Sequence, residues 1–334
     1  MKKETQISTD NATTIAVDLM GGDTYPDDRL ESILTLLKSE DDICFRVFVS
    51  KSYLNTIAHR IPLLNKNRIV FISCGRSVSM EESPFTALRQ KRDSSLSLAL
   101  KDVADNNSDV VVTAGNTGAM VVLAKHWLSP MYDIEKPVLA TLLPSKSKRA
   151  LLLDVGATID ARAYDLFNFA RLGSAWQQAS NDIKKPEVAL LNVGTENNKG
   201  DDTVKQANNM LQESDLNYKG FCEGTHLFKG YADVICCNGF VGNITLKSCE
   251  AMASYIKNES TDPTKSTIWQ KIKKGMRIVE PDKYNGALLL GLDGLVVKSH
   301  GNCNALSFIT AVKQAYNMSQ QPIITKMTKI LEKS

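Results

Sequence analysis

A pattern that recurs along the chain constrains its fold more than any single motif. A short apolar run rich in β-branched residues stops at glycine, asparagine, aspartate, lysine or histidine, and another element follows at once. Asp109–Val122 reads DVVVTAGNTGAMVV: Val110 to Val112 halt at Ala114-Gly115-Asn116-Thr117-Gly118, and apolar residues resume at helical spacing. Ile15–Asp18 enters Met20-Gly21-Gly22-Asp23, Leu151–Asp154 enters Val155-Gly156-Ala157-Thr158, and Val188–Asn192 enters Val193-Gly194-Thr195-Glu196. Asp233–Cys237 enters Asn238-Gly239-Phe240-Val241-Gly242-Asn243, and Leu295–Val297 enters Lys298-Ser299-His300-Gly301. Buried strands followed by tight turns read this way. The pattern predicts an α/β chain with a parallel sheet, its turns at the carboxyl ends of the strands, where open α/β folds bind ligands. Such turns leave backbone N–H groups at the positive end of a helix dipole, which suits a phosphate or carboxylate. One such turn alone commonly binds nothing; six are expected to converge on one site.

The 334 residues suit one large or two moderate domains with ample core. The organisation expected is a disordered arm over 1–13, one α/β domain over 14–320 and a C-terminal helix over 321–334. Hydrophobic content of 43% and charge of 23% place the chain among ordinary soluble proteins. A net charge of +3 without a long basic block argues against a nucleic-acid partner. No apolar stretch approaches a membrane span, and the first residues carry two lysines but no apolar core, so no secretory signal is expected. Seven cysteines, without a C-x-x-C pair, and four scattered histidines give no metal-ligand spacing. Reduced thiols in the cytoplasm are expected.

Helical spacing predicts helices near Asp27–Lys38, Lys51–His59, Arg162–Ser180, Asp201–Glu213 and Val241–Tyr255, with further strands at Phe45–Val49 and Ile69–Ile72. A long helical pattern from Phe85 to about Ala104 is interrupted by the polar residues Gln90 to Ser95. Val138–Leu143 and Leu151–Asp154, joined by the basic loop Pro144–Arg149, read as an antiparallel hairpin inside the parallel sheet. Arg89, Lys91 and Arg92 form a basic cluster, which is either a solvated helix face or a grip for an acidic partner. An amphipathic excursion is expected at about 256–285. From Ser266 to Val279, Ile268, Trp269, Ile272, Met276 and Val279 share one helical face, and Lys271, Lys273, Lys274 and Arg277 occupy the rest. That helix can lie on an anionic membrane, or bury its stripe against a second subunit or its own domain.

The chain lacks G-x-G-x-x-G after its first strand, a P-loop and a G-x-S-x-G elbow. His300, a lone histidine in a βα turn, is a base or a hydrogen-bonded structural residue. What remains is a set of amides, lysines and backbone N–H groups: Asn116, Lys199, Asn243 and Lys298. That inventory suits a nucleophile that arrives already ionised, as inorganic phosphate does. A thioester partner has a good leaving group, its thiol pKa near 8.5 unperturbed. The protein then supplies proximity and charge stabilisation.

Taken in order, the motifs resemble one family. D-x-M-G-G-D at Asp18–Asp23, A-L-R-x-K-x-D-S-S at Ala87–Ser95, A-G-N-T-G-A, L-L-D-x-G-A, N-x-G-x-E…K-G, G-F-x-G-N and V-V-K-S-H-G all occur. Together they are similar to the bacterial phosphate acyltransferases of the PlsX type, the acyl-ACP:phosphate transacylases, over roughly Thr14 to Met318. The resemblance implies conversion of acyl-ACP and inorganic phosphate to acyl phosphate and free acyl carrier protein, feeding fatty acid and phospholipid synthesis. It also implies a Rossmann-like three-layer α/β/α fold, related to phosphate acetyltransferases and to isopropylmalate dehydrogenases. A homodimer without cofactor or metal follows from it, cytoplasmic and attached to the inner face of the cell membrane through Ile268, Trp269, Ile272 and Met276. A downstream glycerol-3-phosphate acyltransferase becomes an expected partner.

Carried over by position, Lys199 stabilises phosphate or the carbonyl oxyanion, Asn243 orients carbonyl or phosphate, and Lys298 and His300, in a second tier, protonate the leaving thiolate. Gly22, Gly115, Asn116, Thr117, Gly118, Gly242 and Lys298 are expected to hold phosphate or substrate, and Arg89, Lys91 and Arg92 the carrier protein. Asp18 and Asp154 are read as fixing turns by Asx-type bonds. Three positions depart from the family pattern: Thr24 replaces a histidine, Thr158 an asparagine and Asn238 an aspartate. An acyl-CoA donor, a non-catalytic scaffold that binds acyl-ACP or membrane, and an NAD-dependent oxidoreductase are the alternatives.

Overall fold

The computed structural model describes residues 12–58, 67–143, 150–259 and 285–333. The arm expected at the start falls almost wholly outside them, as do the loop at 144–149 and the amphipathic stretch at 266–279. The chain divides into two compact units, Met1–Met131 with Asn285–Ile324, and Tyr132–Tyr284 with Thr325–Ser334.

The first unit carries β1 (Thr13–Asp18), α1 (Pro26–Ser39), β2 (Ile43–Ser50), α2 (Lys51–Ile57), β3 (Ile69–Cys74), α3 (Pro84–Gln90), α4 (Ser95–Ala104), β4 (Val110–Thr113) and α5 (Thr117–Trp127). The second carries β5 (Val138–Leu143), β6 (Ala150–Leu153), α6 (Ala163–Asn181), β7 (Glu187–Leu191), α7 (Asp202–Gln212), β8 (Asn217–Cys222), β9 (Val234–Cys236) and α8 (Gly239–Glu259). The chain then contributes β10 (Ala287–Leu290), β11 (Leu295–Lys298) and α9 (Ala305–Ser319) to the first unit, and ends in α10 (Ile323–Leu331). Strand order in the first unit is β3-β2-β1-β4-β11-β10, parallel except for β10 against β11. In the second it is β5-β6-β9-β7-β8, parallel except for the predicted β5–β6 hairpin.

Local chemistry accounts for these elements. Every residue of β4 is buried, because β1 and β11 flank it in a sheet with no wet face at its centre. α1 opens on Pro26 with Asp27 and Asp28 in its first turn and Lys38 in its last, the polarity its dipole favours. The single interrupted helix expected over Phe85–Ala104 is two helices. Ser94 leaves the helical region (φ −72°, ψ 160°) and its hydroxyl accepts from the Ser97 N–H, so it starts α4 anew. Strands β8 and β10 and helix α9 were outside the sequence expectation; β8 has exposed and half-buried residues over most of its length and so little apolar signal.

One ion pair ties helix to sheet in the first unit. Arg46 on β2 grips Asp102 on α4 at two points, 2.7 and 2.8 Å, and the Ser108 hydroxyl donates to the same carboxylate at 2.6 Å. Removing one partner strands the other charge in low dielectric. Asp102→Ala is expected to cost about 3 kcal/mol, seen as a lowered thermal midpoint. The Arg46→Met/Asp102→Leu double variant, which leaves no orphaned charge, is expected to lose clearly less.

Candidate active site

In the first unit the turns after β1, β4 and β11 flank one another, because β4 pairs in parallel with both neighbours. Asp18 ends β1 almost without exposure, and its carboxylate accepts from the Ser95 hydroxyl at 2.6 Å and the Thr113 hydroxyl at 2.8 Å, so it ties β1 to α4 and β4 through side chains and does not make the Asx-type turn bonds expected of it. Gly21 lies against it: an added Cβ would overlap the Asp18 carboxylate and stand 2.6 Å from the Gly115 nitrogen. Gly22 takes φ +112°, in the region that favours glycine. The Asp23 N–H donates to the Gly301 carbonyl at 2.7 Å, which joins the β1 turn to the β11 turn. Lys298 is buried at the end of β11 and donates to the carbonyls of Ala114, at 3.2 Å, and Ser299. His300 is anchored through its backbone N–H to the Asn285 side chain at 3.0 Å.

Asn116 caps α5. Its Oδ1 accepts from the Ala119 N–H at 3.0 Å, and its Nδ2 donates to the carbonyls of Ser79, Met80 and Glu82. The side chain expected to hold phosphate is therefore committed to protein. The N–H groups of Thr117 and Gly118, half-buried in the first turn of α5, have no hydrogen-bond partner among the described residues. Lys91 is also engaged, in an ion pair with Glu82 at 2.6 Å, whereas Arg89 and Arg92 are exposed.

In the second unit β9 lies between β6 and β7, so the turn after β9 is flanked by the turns after the other two. Asp154 ends β6 with no exposure and accepts four backbone N–H bonds, from Leu139, Gly156, Ala157 and Thr158, at 2.6 to 3.2 Å. It fixes the turn, as the Asx reading expects. The β9 turn packs directly on it: an added Cβ on Gly242 would overlap the Asp154 carbonyl oxygen, and one on Gly239 would stand 2.9 Å from Asp154 Oδ2. Asn243, one residue on, lies beside Gly156 and is exposed. In the β7 turn, Asn192 Nδ2 donates to the Lys199 carbonyl at 3.1 Å and Gly200 takes φ +90°. Lys199 and Asn243 are both exposed, and neither side chain has a hydrogen-bond partner among the described residues.

The expected six turns thus form two sets of three, one at the carboxyl edge of each unit's parallel strands. Three departures from the family pattern have a physical account. Asn238 caps α8, its Oδ1 accepting from the Val241 N–H at 2.8 Å, a task asparagine and aspartate perform equally. Thr158 bonds through its backbone, to Asp154 and to the Gly239 N–H. Thr24 accepts from Arg29 through both its hydroxyl (2.9 Å) and its carbonyl (3.1 Å). Arg29 was missed from sequence: it is buried on α1, reaches the Leu19 carbonyl at 3.0 Å and clamps the β1 turn. Its signal was a basic residue at helical spacing from Ile33 and Leu36. Among the described residues no three His, Cys, Asp or Glu side chains are grouped to hold a metal ion.

Burial raises the Asp154 carboxyl to about 6, against the lowering effect of its four N–H bonds. A folded pKa above the unfolded value means that the folded chain holds this proton more tightly. The stability it contributes is complete below about pH 4 and is lost as pH rises through about 6. Asp154→Asn cannot titrate, and its Nδ2 cannot accept from Thr158, which leaves a half-buried N–H unpaired, at about 1 kcal/mol. The gap in thermal midpoint between wild type and Asp154→Asn is expected to be wider near pH 4 than near pH 7.

Residues 13–326 match the family described as fatty acid synthesis protein. Phosphate acyltransferase of Coxiella burnetii (strain RSA 331) is 37% identical over 317 residues, covering 90% of this chain and 92% of the relative. Those of Agrobacterium fabrum and Moritella marina are 38% identical (94% and 92% covered) and 35% identical (96% and 98% covered). Two solved structures share the fold: a phosphotransacetylase from Streptococcus pyogenes and a branched-chain phosphotransacylase from Enterococcus faecalis. Their TM-scores are 0.62 and 0.61 and their identities 15% and 14%, covering 94% and 92% of this chain and 96% and 99% of theirs. The fold is the α/β, mostly parallel arrangement that the motifs imply, and by the match along nearly its whole length the chain belongs to the fatty acid synthesis protein family, alongside the phosphate acyltransferases of these three bacteria.

Proposed function

We propose that the chain transfers the acyl group of acyl-ACP to inorganic phosphate, releasing acyl phosphate and the free carrier thiol. One observation carries the assignment of roles. Lys199 and Asn243 stand on turns that follow paired strands at one sheet edge, and both side chains are exposed without a hydrogen-bond partner among the described residues. Asn192 and Asn238, at the starts of the same two turns, are tied to backbone groups, and Lys199 is the cation of the exposed β7 turn. A donor left unpaired at a strand end is available to substrate.

The chemistry needs little more. Phosphate is already anionic near neutral pH, so no base has to create the nucleophile. One phosphate oxygen attacks the thioester carbonyl carbon, a C–O bond forms, and the carbonyl electrons move onto oxygen. Asn243 donates to that oxyanion, and the Lys199 ammonium stabilises the oxyanion or the phosphate. Collapse breaks the C–S bond and expels the thiolate, which takes the proton that hydrogen phosphate gives up on becoming the acyl phosphate, with His300 as the group that passes it on. Thr117 and Gly118 hold phosphate through their backbone N–H groups at the start of α5, whereas the Gly115 N–H is taken by the Thr113 hydroxyl at 2.9 Å and shapes the turn. In the same reading Arg89 and Arg92 meet the acidic carrier. The chain works as a cytoplasmic homodimer at the inner membrane face through Ile268, Trp269, Ile272 and Met276, and supplies a glycerol-3-phosphate acyltransferase. Among the described residues no helix is long and apolar enough to cross a membrane.

The test follows release of carrier thiol from acyl-ACP with and without phosphate. Lys199→Ala is expected to lower kcat by about 10²–10³, the scale of losing one oxyanion donor, with circular dichroism unchanged. Asn243→Ala is expected to lower it in the same sense. Phosphate-independent release, or full turnover in Lys199→Ala, would overturn the assignment.

A further inference from the structure

We infer that Asn116 and Lys91 are positioning residues, which fasten loop 75–83 across the start of α5 and do not themselves meet substrate. The inference rests on the reading that the β4–α5 turn holds phosphate.

The geometry is specific. Asn116 Nδ2 has two hydrogens and faces three carbonyls, those of Ser79 at 3.2 Å, Met80 at 2.9 Å and Glu82 at 2.9 Å. Its Oδ1 is taken by the Ala119 N–H. No donor remains for an anion. From the other side, Lys91 Nζ donates to the Ser77 carbonyl at 2.8 Å and to Glu82 Oε2 at 2.6 Å, and the same Oε2 accepts from the Ser79 N–H at 3.2 Å. Burial works to raise the Glu82 carboxyl, and Lys91 with the Ser79 N–H outweighs it, holding that group below the usual carboxylate range.

The loop is also tied at its base, where the Gly75 N–H donates to the Asp93 carbonyl at 3.0 Å and the Ser95 N–H to the Arg76 carbonyl at 3.2 Å. It lies on two of the three turns of this unit. Pro84, the first residue of α3 and directly after the loop, stands 2.7 Å from where a Cβ on Gly118 would be, and Met80 Cε 3.0 Å from one on Gly301. Displacing the loop therefore moves the wall beside the Thr117 and Gly118 N–H groups. Lys91, neutralised by Glu82, offers an acidic carrier little; Arg89 and Arg92 carry the exposed charge.

Asn116→Ser keeps an oxygen that can cap α5 and removes the three bonds to the loop. It is expected to speed tryptic cleavage after the exposed Arg76 and to raise the KM for phosphate about tenfold. The KM for acyl-ACP, and kcat at saturating phosphate, should stay within about twofold. Lys91→Met should act in the same direction, Lys91→Arg should restore, and the two losses should combine less than additively because they act on one loop. Unchanged cleavage with unchanged phosphate KM would overturn the inference. So would a collapse of kcat with the loop still protected, which would put the amide on substrate, or a Lys91→Met effect on acyl-ACP KM alone. If Asn116→Ser does not fold, Lys91→Met carries the same test. Absence of phosphate-dependent turnover in the wild type would remove the functional reading, while the cleavage rates would still decide what holds the loop.

Discussion

Asp154 sits at the end of β6 without exposure, and four backbone N–H groups converge on its carboxylate. A buried carboxyl so placed fixes the path of the chain that follows it, because the N–H groups of Gly156, Ala157 and Thr158 all turn inward to reach it. The β9 turn then packs against Asp154 so closely that Gly242 has no room for a Cβ, and this close approach seats α8 and with it Asn243. Asp18 ends β1 in the first unit in a similar place but with different partners. It joins β1 to α4 and β4 through the Ser95 and Thr113 hydroxyls, and Gly21 closes over it. The two sets of turns are built on the same device, a strand-end aspartate roofed by a glycine turn.

That device explains which residues are left for chemistry. Side chains that complete a turn are hydrogen-bonded to it: Asn116, Asn192, Asn238 and Lys298 all bond to backbone groups. Lys199 and Asn243 do not, among the described residues, and they follow β7 and β9, which pair. Transfer of an acyl group to an ionised oxygen nucleophile needs donors aimed at developing charge more than it needs a base. The substitutions at Thr24, Thr158 and Asn238 leave these donors untouched. Each performs its structural task with the hydroxyl, backbone or amide oxygen it has.

Strand ends and turns were legible in the sequence because they follow from local rules: a β-branched run, then a residue that breaks it. The antiparallel hairpin of β5 and β6 was legible for the same reason, two apolar runs too close in sequence to enclose a crossover helix. Strand β8 was not, since its exposed residues lack the apolar run that marks a buried strand. The roles of Asn116 and Lys91 were not legible either. Their residue types suit an anion or an acidic partner, and only the fold shows that the carbonyls of loop 75–83 and the Glu82 carboxylate reach them first. Arg29 belongs to the same class: a charge in an apolar helical stripe signals a buried partner, but its partners, Leu19 and Thr24, are identified by the turn it clamps.

The central claim is that phosphate itself attacks the thioester. Supplying acyl-ACP with phosphate labelled at every oxygen by ¹⁸O, and weighing the acyl phosphate formed by mass spectrometry, tests that step directly. Attack by phosphate keeps all the labelled oxygens in the product, with free carrier thiol appearing in equal amount. Loss of one label, or free fatty acid in place of acyl phosphate, would show that water opens the thioester, and would contradict the account.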